Sequence, residues 1–168
     1  MSRNSMGSLY LNRRLRLTPV ALLLAMLIVP TAPSASRFAA PDCDAAGIPV
    51  SVEVRDLRST AGNLTVTIYG DRAADFLAPG RKLARKRVAI TGTTTTACLS
   101  VPRPGGYAIA VYHDENDDRD FGRTMLGLPA EGYGFSNDAP AVIGLPSFAD
   151  ARFDVPADGG KLTIRMRY

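Results

Sequence analysis

The chain has 168 residues, with 20 Lys plus Arg, 16 Asp plus Glu and one His. Its first 36 residues contain four arginines and no acidic residue, so residues 37–168 carry 16 charges of each sign. Nucleic-acid-binding proteins expose a net basic surface, and this balance argues against that class. The 132 residues that remain after residue 36 suit a single domain with one core.

Residues 1–36 have the order of a secretory signal peptide. The arginines precede an apolar run, Val20 to Val29, and small residues follow from Thr31 to Ser36; this is the order of the three signal-peptide regions. The apolar run is about ten residues long, whereas a membrane-spanning helix needs roughly 20. We therefore predict a signal peptide over 1–36, export to the periplasm or beyond, and no transmembrane span after cleavage.

The two cysteines are predicted to form a structural disulfide. Cys43 lies in the N-terminal segment 37–49, and Cys98 lies in a strand-like segment. A pair of cysteines in an exported protein is most often a disulfide. A redox-active or metal-binding pair would favour the CxxC spacing, which this sequence lacks.

Alternation of apolar and polar residues with a period of two indicates β-strands over residues 50–168. The clearest segments are 50–55, 64–69, 107–112 and 162–167, and weaker ones are 86–90, 97–101 and 148–155. Glycine- and proline-rich turns separate them, and the only helical signal is a short turn within 71–77. The sequence predicts an all-β domain, a single antiparallel β-sandwich of about seven strands. The basic stretch 81–87 is interpreted as a solvated edge strand.

One long connection, residues 114–147, interrupts this pattern. Connections longer than about 12–15 residues are uncommon in compact domains and are usually functional or disordered. Its aromatic residues, Tyr133 and Phe135, favour an ordered loop, since disordered segments are poor in aromatics. We predict that this elaborated loop forms the recognition surface of the protein.

The loop begins with an acidic run that has two interpretations. Asp114, Asn116, Asp118 and Asp120 occupy alternate positions, and oxygen-rich loops of this kind bind calcium. The run does not fit a helical EF-hand, because Arg119 stands where that loop needs glycine and a strand precedes it. A calcium site would need Glu131 or Asp138 to fold back onto the run. The alternative is a solvated turn whose Asp and Asn side chains bond to nearby backbone groups.

His113 is the only histidine, which limits catalytic chemistry. No serine lies in a G-x-S-x-G motif, and Ser136 is the least implausible nucleophile. An enzyme would have to use His113 with Asp114 or Glu131 as acid and base. The candidate ligand-binding residues lie on both sides of the long loop: His113, Glu131, Tyr133, Phe135, Ser136 and Asn137.

Three motifs occur in order: YAIAVYHDEN (107–116), GLPAEGYGFSN (127–137) and PSFADARF (146–153). With them the chain resembles an uncharacterised bacterial family, domain of unknown function 2141. The resemblance implies an exported β-sandwich, of transthyretin-like or immunoglobulin-like type, without an established activity. It also implies glycine at positions 117 and 119 and aspartate at position 122, where this chain has Asp117, Arg119 and Gly122.

The functional prediction is a non-enzymatic binding or structural module of the cell envelope, with calcium as one way of ordering its loop. Its partner would be an envelope component, a small ligand or a protein, and we expect a monomer. The alternative is a small periplasmic enzyme that uses His113 with Asp114 or Glu131.

Overall fold

The computed structural model describes Cys43 and residues 47–125, 128–141 and 144–168. The predicted signal peptide, and all of segment 37–49 except Cys43 and 47–49, lie outside the described residues. Within the described part of the chain, no helix is long and apolar enough to cross a membrane.

Eight strands and very little helix make up this part of the chain. The strands are β1 Ile48–Arg55, β2 Asn63–Tyr69, β3 Ala84–Ala89, β4 Thr94–Val101, β5 Gly105–Asp114, β6 Gly132–Phe135, β7 Phe153–Val155 and β8 Gly160–Arg165. The helical segments are α1, Phe148–Ala151, and two 3-10 turns, Ala73–Asp75 and Ser136–Asp138. The predicted helical turn within 71–77 is therefore present.

The strands form two sheets that pack face to face. One sheet has the order β4-β1-β8, and the other has the order β3-β2-β5-β6, with β7 also paired to β5. The predicted β-sandwich is confirmed, and β3 is an edge strand as the basic stretch 81–87 indicated. The pairs are antiparallel except β1–β8, which is parallel. The alternation of side chains is the same in both arrangements, so the sequence pattern could not distinguish them.

The core lies between the two sheets and follows the period-two pattern. The apolar residues of β1, β2 and β5 that alternate in the sequence are at most 4% exposed: Val50, Val52, Val54, Leu64, Val66, Ile68, Tyr107, Ile109 and Val111. Burying a Val, Leu or Ile side chain stabilises the fold by about 1.5–3 kcal/mol. This layer accounts for most of the driving force for folding.

The segment 148–155, predicted as a strand, is instead the helix α1 followed by the short strand β7. Ser147 begins the helix with a reciprocal cap: its Oγ accepts a hydrogen bond from the Asp150 amide (3.2 Å), and Asp150 Oδ2 accepts one from the Ser147 amide (3.2 Å). Such a capping box satisfies two backbone donors of the first turn. It therefore favours helix where the apolar pattern alone suggested a strand.

The connections pack onto the outer face of the larger sheet and form a second apolar cluster. Ala108 of β5 and Phe135 of β6 are buried there together with Ala139 and Ala151. Phe76 contacts Phe135 and Phe148 edge-on, with ring centroids 6.3 and 6.0 Å apart. The long connection is therefore only partly a loop, because it contains β6 and contributes to a packed layer.

The predicted disulfide between Cys43 and Cys98 is present, with a Cα–Cα distance of 4.8 Å. It links the segment before β1 to β4, where Cys98 is 1% exposed. A disulfide is consistent with an extracytoplasmic protein.

Candidate functional site

The second motif folds against the first, because β6 pairs with the end of β5. Tyr112 is opposite Tyr133 and His113 is opposite Gly132. Asp114 is the last residue of β5 and Glu131 directly precedes β6, so both lie at the same end of the pair. The two motifs, separated by ten residues in the chain, therefore form one composite candidate site.

The glycines of the GYGF strand explain why β6 fits there. A Cβ on Gly134 would lie 2.7 Å from the Arg165 carbonyl oxygen and 2.7 Å from Ile164 Cγ2. A Cβ on Gly132 would lie 2.3 Å from Cε1 of Tyr168. Inward-facing glycines let β6 approach the C-terminal segment closely, while the alternate residues, Tyr133 and Phe135, face the outer side of the sheet.

Three carboxylates meet at the end of the β5–β6 pair. One oxygen from each of Asp114, Asp118 and Glu131 lies within 4.8 Å of an oxygen of the other two. Asp114 is fully buried and Glu131 is 6% exposed, whereas Asp118 is exposed. The acidic run alone predicted Asp114 and Asp118 as metal ligands. Glu131 was one of the two residues, with Asp138, that a calcium site would need to fold back onto the run, and it completes the group.

The hydrogen bonds of the two buried carboxylates are incomplete. Asp114 Oδ2 accepts from Arg87 Nη2 (2.5 Å) and from the Arg119 amide (3.0 Å), and Glu131 Oε2 accepts from the Gly122 amide (3.0 Å). Within the described residues, Oδ1 of Asp114 and Oε1 of Glu131 have no hydrogen-bond partner. Buried polar atoms normally have one, so both oxygens have unused capacity to bind a proton or a cation.

The charge of this group also affects Glu131. Burial raises the pKa of Glu131 above its ordinary value; the Gly122 amide opposes this, and the negative charges of Asp114 and Asp118 add to it. Arg87 offsets part of the charge because its guanidinium bridges Asp114 and Asp117. Four carboxylates and one arginine leave this end of the sheet with a net negative charge.

Asn116 and Asp120, the other two predicted metal ligands, instead bond to the backbone of their own turn. Asn116 Oδ1 accepts from the Asp118 amide (3.1 Å), and Asp120 Oδ1 accepts from the Phe121 amide (2.9 Å). Neither belongs to the group of converging carboxylates. The acidic run thus combines both interpretations. Asp118 accepts from the Asp120 amide (2.8 Å) and from Asn116 Nδ2 (2.7 Å), so it belongs to the hydrogen-bonded turn and also converges with Asp114 on Glu131.

His113 lies on the other face of β5, because successive side chains of a strand point to opposite faces. Its ring is fully buried, with Nε2 2.8 Å from the Ala61 carbonyl oxygen and Nδ1 2.7 Å from the Tyr168 hydroxyl. A carbonyl can only accept, so Nε2 carries a proton, and the Tyr168 hydroxyl is the hydrogen-bond partner of Nδ1. The structure does not bring His113 together with Asp114 or Glu131.

Removing the hydroxyl of Tyr168 should destabilise the fold. In Tyr168→Phe the buried His113 Nδ1 loses its partner, and the Arg58 amide loses the oxygen that accepts its hydrogen bond (3.0 Å). Leaving a buried group unsatisfied costs about 1–3 kcal/mol. Urea unfolding should show this loss. Tyr133→Phe, whose hydroxyl has no hydrogen bond among the described residues, should leave the unfolding midpoint unchanged; equal midpoints for both variants would contradict the assignment.

Ser136 and Asn137 connect segments of the outer layer. Ser136 is fully buried, and its Oγ accepts from the Ile109 amide (2.9 Å) and donates to the Ala151 carbonyl. Asn137 Nδ2 donates to the carbonyls of Asp150 (3.2 Å) and Arg152 (2.7 Å). Both side chains are occupied in holding α1 and β7 against β5 and β6.

Tyr133 and Phe135 line an open groove on the outer face of β5 and β6. A cavity of about 450 Å³ is bordered by these rings with Phe121, Leu128, Leu145 and Arg123. It adjoins a smaller one of about 210 Å³ that reaches Tyr112 and Arg85. Tyr112 and Phe121 are in edge contact at 5.8 Å, and the Arg123 guanidinium lies 5.3 Å from the Phe121 ring centre. The sequence analysis did not identify Tyr112 or Phe121 as site residues, although Tyr112 shares the strand face of Asp114 by simple alternation, and it placed Arg85 in the basic stretch 81–87 and not in the recognition surface.

The sequence comparisons identify a family but not an activity. A family model described as "uncharacterized protein conserved in bacteria (DUF2141)" matches residues 52–164. The chain belongs to this family, as the three motifs implied. Neither a curated protein nor a solved structure matches the chain significantly.

The three positions that depart from the implied family pattern lie at the site. Asp117 and Arg119 both have positive φ, 59° and 69°, a conformation that glycine adopts without strain. At Gly122, a Cβ would lie 3.4 Å from Glu131 Cγ. An aspartate at this position would thus begin next to the carboxylate group, which accounts for the acidic residue that the resemblance implies there.

Proposed function

We propose that the protein is an exported, non-enzymatic binding module of the bacterial envelope. Its ligand is a small amphiphile with an apolar body and an anionic group. The observation that carries this proposal is the aromatic groove on β5 and β6, which adjoins the composite site and lies on the surface that the long connection builds.

The lining of the groove supports this class of ligand. Its described walls hold four aromatic rings next to one another, from Tyr112 through Phe121 and Tyr133 to Phe135. Among the described lining residues, Arg85 and Arg123 are the charged ones, and none is a carboxylate. Aromatic faces bind apolar groups, and a guanidinium pairs with an anionic head group.

The arrangement of polar side chains favours binding over catalysis. His113, which the enzymatic alternative would use with Asp114 or Glu131, is buried on the other face of β5, and both of its ring nitrogens bond to groups of the fold. Ser136, the least implausible nucleophile, is also buried and hydrogen-bonded within the fold. The disulfide and the signal-like order of residues 1–36 in the sequence support export.

The groove can be tested with 1-anilinonaphthalene-8-sulfonate, an anionic aromatic probe whose fluorescence rises in apolar surroundings. We expect saturable binding that Leu145→Ala weakens at least threefold, because Leu145 lines the groove. Leu145 is 60% exposed, so the substitution should not disturb the fold. The matched control is Leu83→Ala: Leu83 is 45% exposed and lies outside the groove, so binding should not change.

A second comparison tests the role of charge. N-phenyl-1-naphthylamine has the same rings without the sulfonate, so it should bind more weakly than the anionic probe, and Arg85→Gln should reduce that difference. Absence of saturable binding, or equal effects of Leu145→Ala and Leu83→Ala, would contradict the proposed function. Far-UV circular dichroism checks that the variants keep the native sheet content.

A further inference from the structure

We propose that Asp114, Asp118 and Glu131 form a binding site for a divalent cation, with Ca²⁺ as the ion that fits best. The site is separate from the groove and needs no ligand there. It joins two segments that are distant in the chain, since Asp114 ends β5 whereas Glu131 precedes β6.

The geometry is of the right size for calcium. Ca²⁺ binds oxygen at about 2.3–2.6 Å, so two of its ligands on opposite sides lie about 4.6–5.2 Å apart. The three carboxylate oxygens lie within 4.8 Å of one another. Three carboxylates, each binding through one oxygen, supply three of the six to eight ligands that Ca²⁺ takes. The exposure of Asp118 leaves that side open to water.

Two buried atoms point independently to a ligand. Asp114 is 0% exposed and Glu131 is 6% exposed, yet within the described residues Oδ1 of the first and Oε1 of the second lack any hydrogen-bond partner. An unsatisfied buried acceptor destabilises the fold, and more so when it is charged. A solvated acidic turn gives no reason for this arrangement, because its carboxylates would point into water.

Arg87 does not replace the cation. Its Nη2 contacts Asp114 Oδ2 and Asp117 Oδ1, each at 2.5 Å, and so leaves Oδ1 of Asp114 open. The guanidinium instead fixes the orientation of the Asp114 carboxylate. Glu131 is held in the same way, by the bond from the Gly122 amide to Oε2. Each buried carboxylate is thus positioned through one oxygen, while the other has no hydrogen-bond partner among the described residues.

The test is a calorimetric titration with CaCl₂. The protein is expressed as the full chain and exported, so that the disulfide forms. We expect saturable binding and a higher thermal midpoint in CaCl₂ than in NaCl of equal ionic strength. Asp118→Asn and Glu131→Gln should each weaken Ca²⁺ binding at least tenfold. Glu131→Gln should also raise the thermal midpoint in EDTA, because it removes a buried, repelled charge. MgCl₂, whose ion prefers shorter bonds of about 2.0–2.1 Å, should bind more weakly.

Asp120→Asn is the matched control. It removes the same charge from the same turn, but Asp120 does not belong to the converging group, so Ca²⁺ affinity should stay within about twofold. Equal weakening by Asp118→Asn and Asp120→Asn would show diffuse attraction by the acidic run and overturn the proposal. So would unchanged affinity in Asp118→Asn and Glu131→Gln, or the absence of any Ca²⁺-dependent heat and thermal shift in the parent. Asp118 is exposed, so Asp118→Asn should fold normally. This variant therefore tests the site even if Glu131→Gln unfolds.

Discussion

Reduction of the Cys43–Cys98 disulfide is expected to lower the free energy of unfolding by about 4 kcal/mol. The bond closes a loop of 55 residues, and cutting it increases the conformational entropy of the unfolded chain. The native contacts of β1 and β4 do not depend on the bond, since these strands pair over eight positions. Urea unfolding with and without dithiothreitol measures the effect, and the midpoint should fall by about 2 M for an m-value near 2 kcal/mol/M.

The control is the double variant Cys43→Ser/Cys98→Ala, in which alanine avoids burying a hydroxyl at position 98. Dithiothreitol should not change its unfolding, and its midpoint should equal that of the reduced parent. If the oxidised and reduced parents unfolded at the same urea concentration, the bond would contribute nothing to stability.

The core of this fold could be predicted because its signal is local. Alternation along β1, β2 and β5 is enough to assign an inward face, and the same residues are buried in the structure. Strand β6 was not recognised, since two of its four residues are glycines and glycine is depleted in strands. Gly132 and Gly134 are required there by contacts with Tyr168, Arg165 and Ile164. Those contacts come from the far end of the chain, which no local pattern reports.

The carboxylate site shows the same limit. The acidic run suggested ligands at alternate positions, as if one extended loop supplied them all. In the structure, Asn116, Asp118 and Asp120 bond within the turn, and only Asp114 and Asp118 of the run converge on Glu131. That division depends on the register of β5 and β6, which places His113 opposite Gly132. A shift of one residue would move Glu131 to the other face of the sheet. The sequence could therefore identify the candidate ligands but could not show which of them converge.

The cation site and the groove are joined through one short segment. The Gly122 amide bonds to Glu131, and the preceding residue, Phe121, packs between Tyr112 and Tyr133 at ring distances of 5.8 and 6.3 Å. Whatever fixes Glu131 therefore also fixes one wall of the groove. The two proposals remain separable, because Leu145 and Arg85 lie in the groove without contributing to the carboxylate group.

Gly62→Ala is expected to destabilise the fold by about 3 kcal/mol or more. A Cβ at this position would lie 1.8 Å from the Asp114 carbonyl oxygen and 2.8 Å from the Glu115 Cα, both backbone atoms. The residue also has φ of +65°, which costs an L-residue about 1–2 kcal/mol. The β1–β2 turn would have to move away from the end of β5 and would take with it the Ala61 carbonyl that binds His113 Nε2. Urea unfolding measures the loss.

Two other glycines separate the causes of this loss. Gly80 has φ of +72° with no atom within 4 Å of an added Cβ, and Gly92 has neither a positive φ nor a neighbour at that distance. Gly80→Ala should therefore cost only the backbone term, about 1–2 kcal/mol, whereas Gly92→Ala should be neutral or slightly stabilising because it restricts the unfolded chain. The excess of Gly62→Ala over Gly80→Ala then measures how tightly the turn packs on Asp114. If the two variants lost the same stability, the close approach of Gly62 to the end of β5, on which the placement of Asp114 and His113 depends, would be refuted.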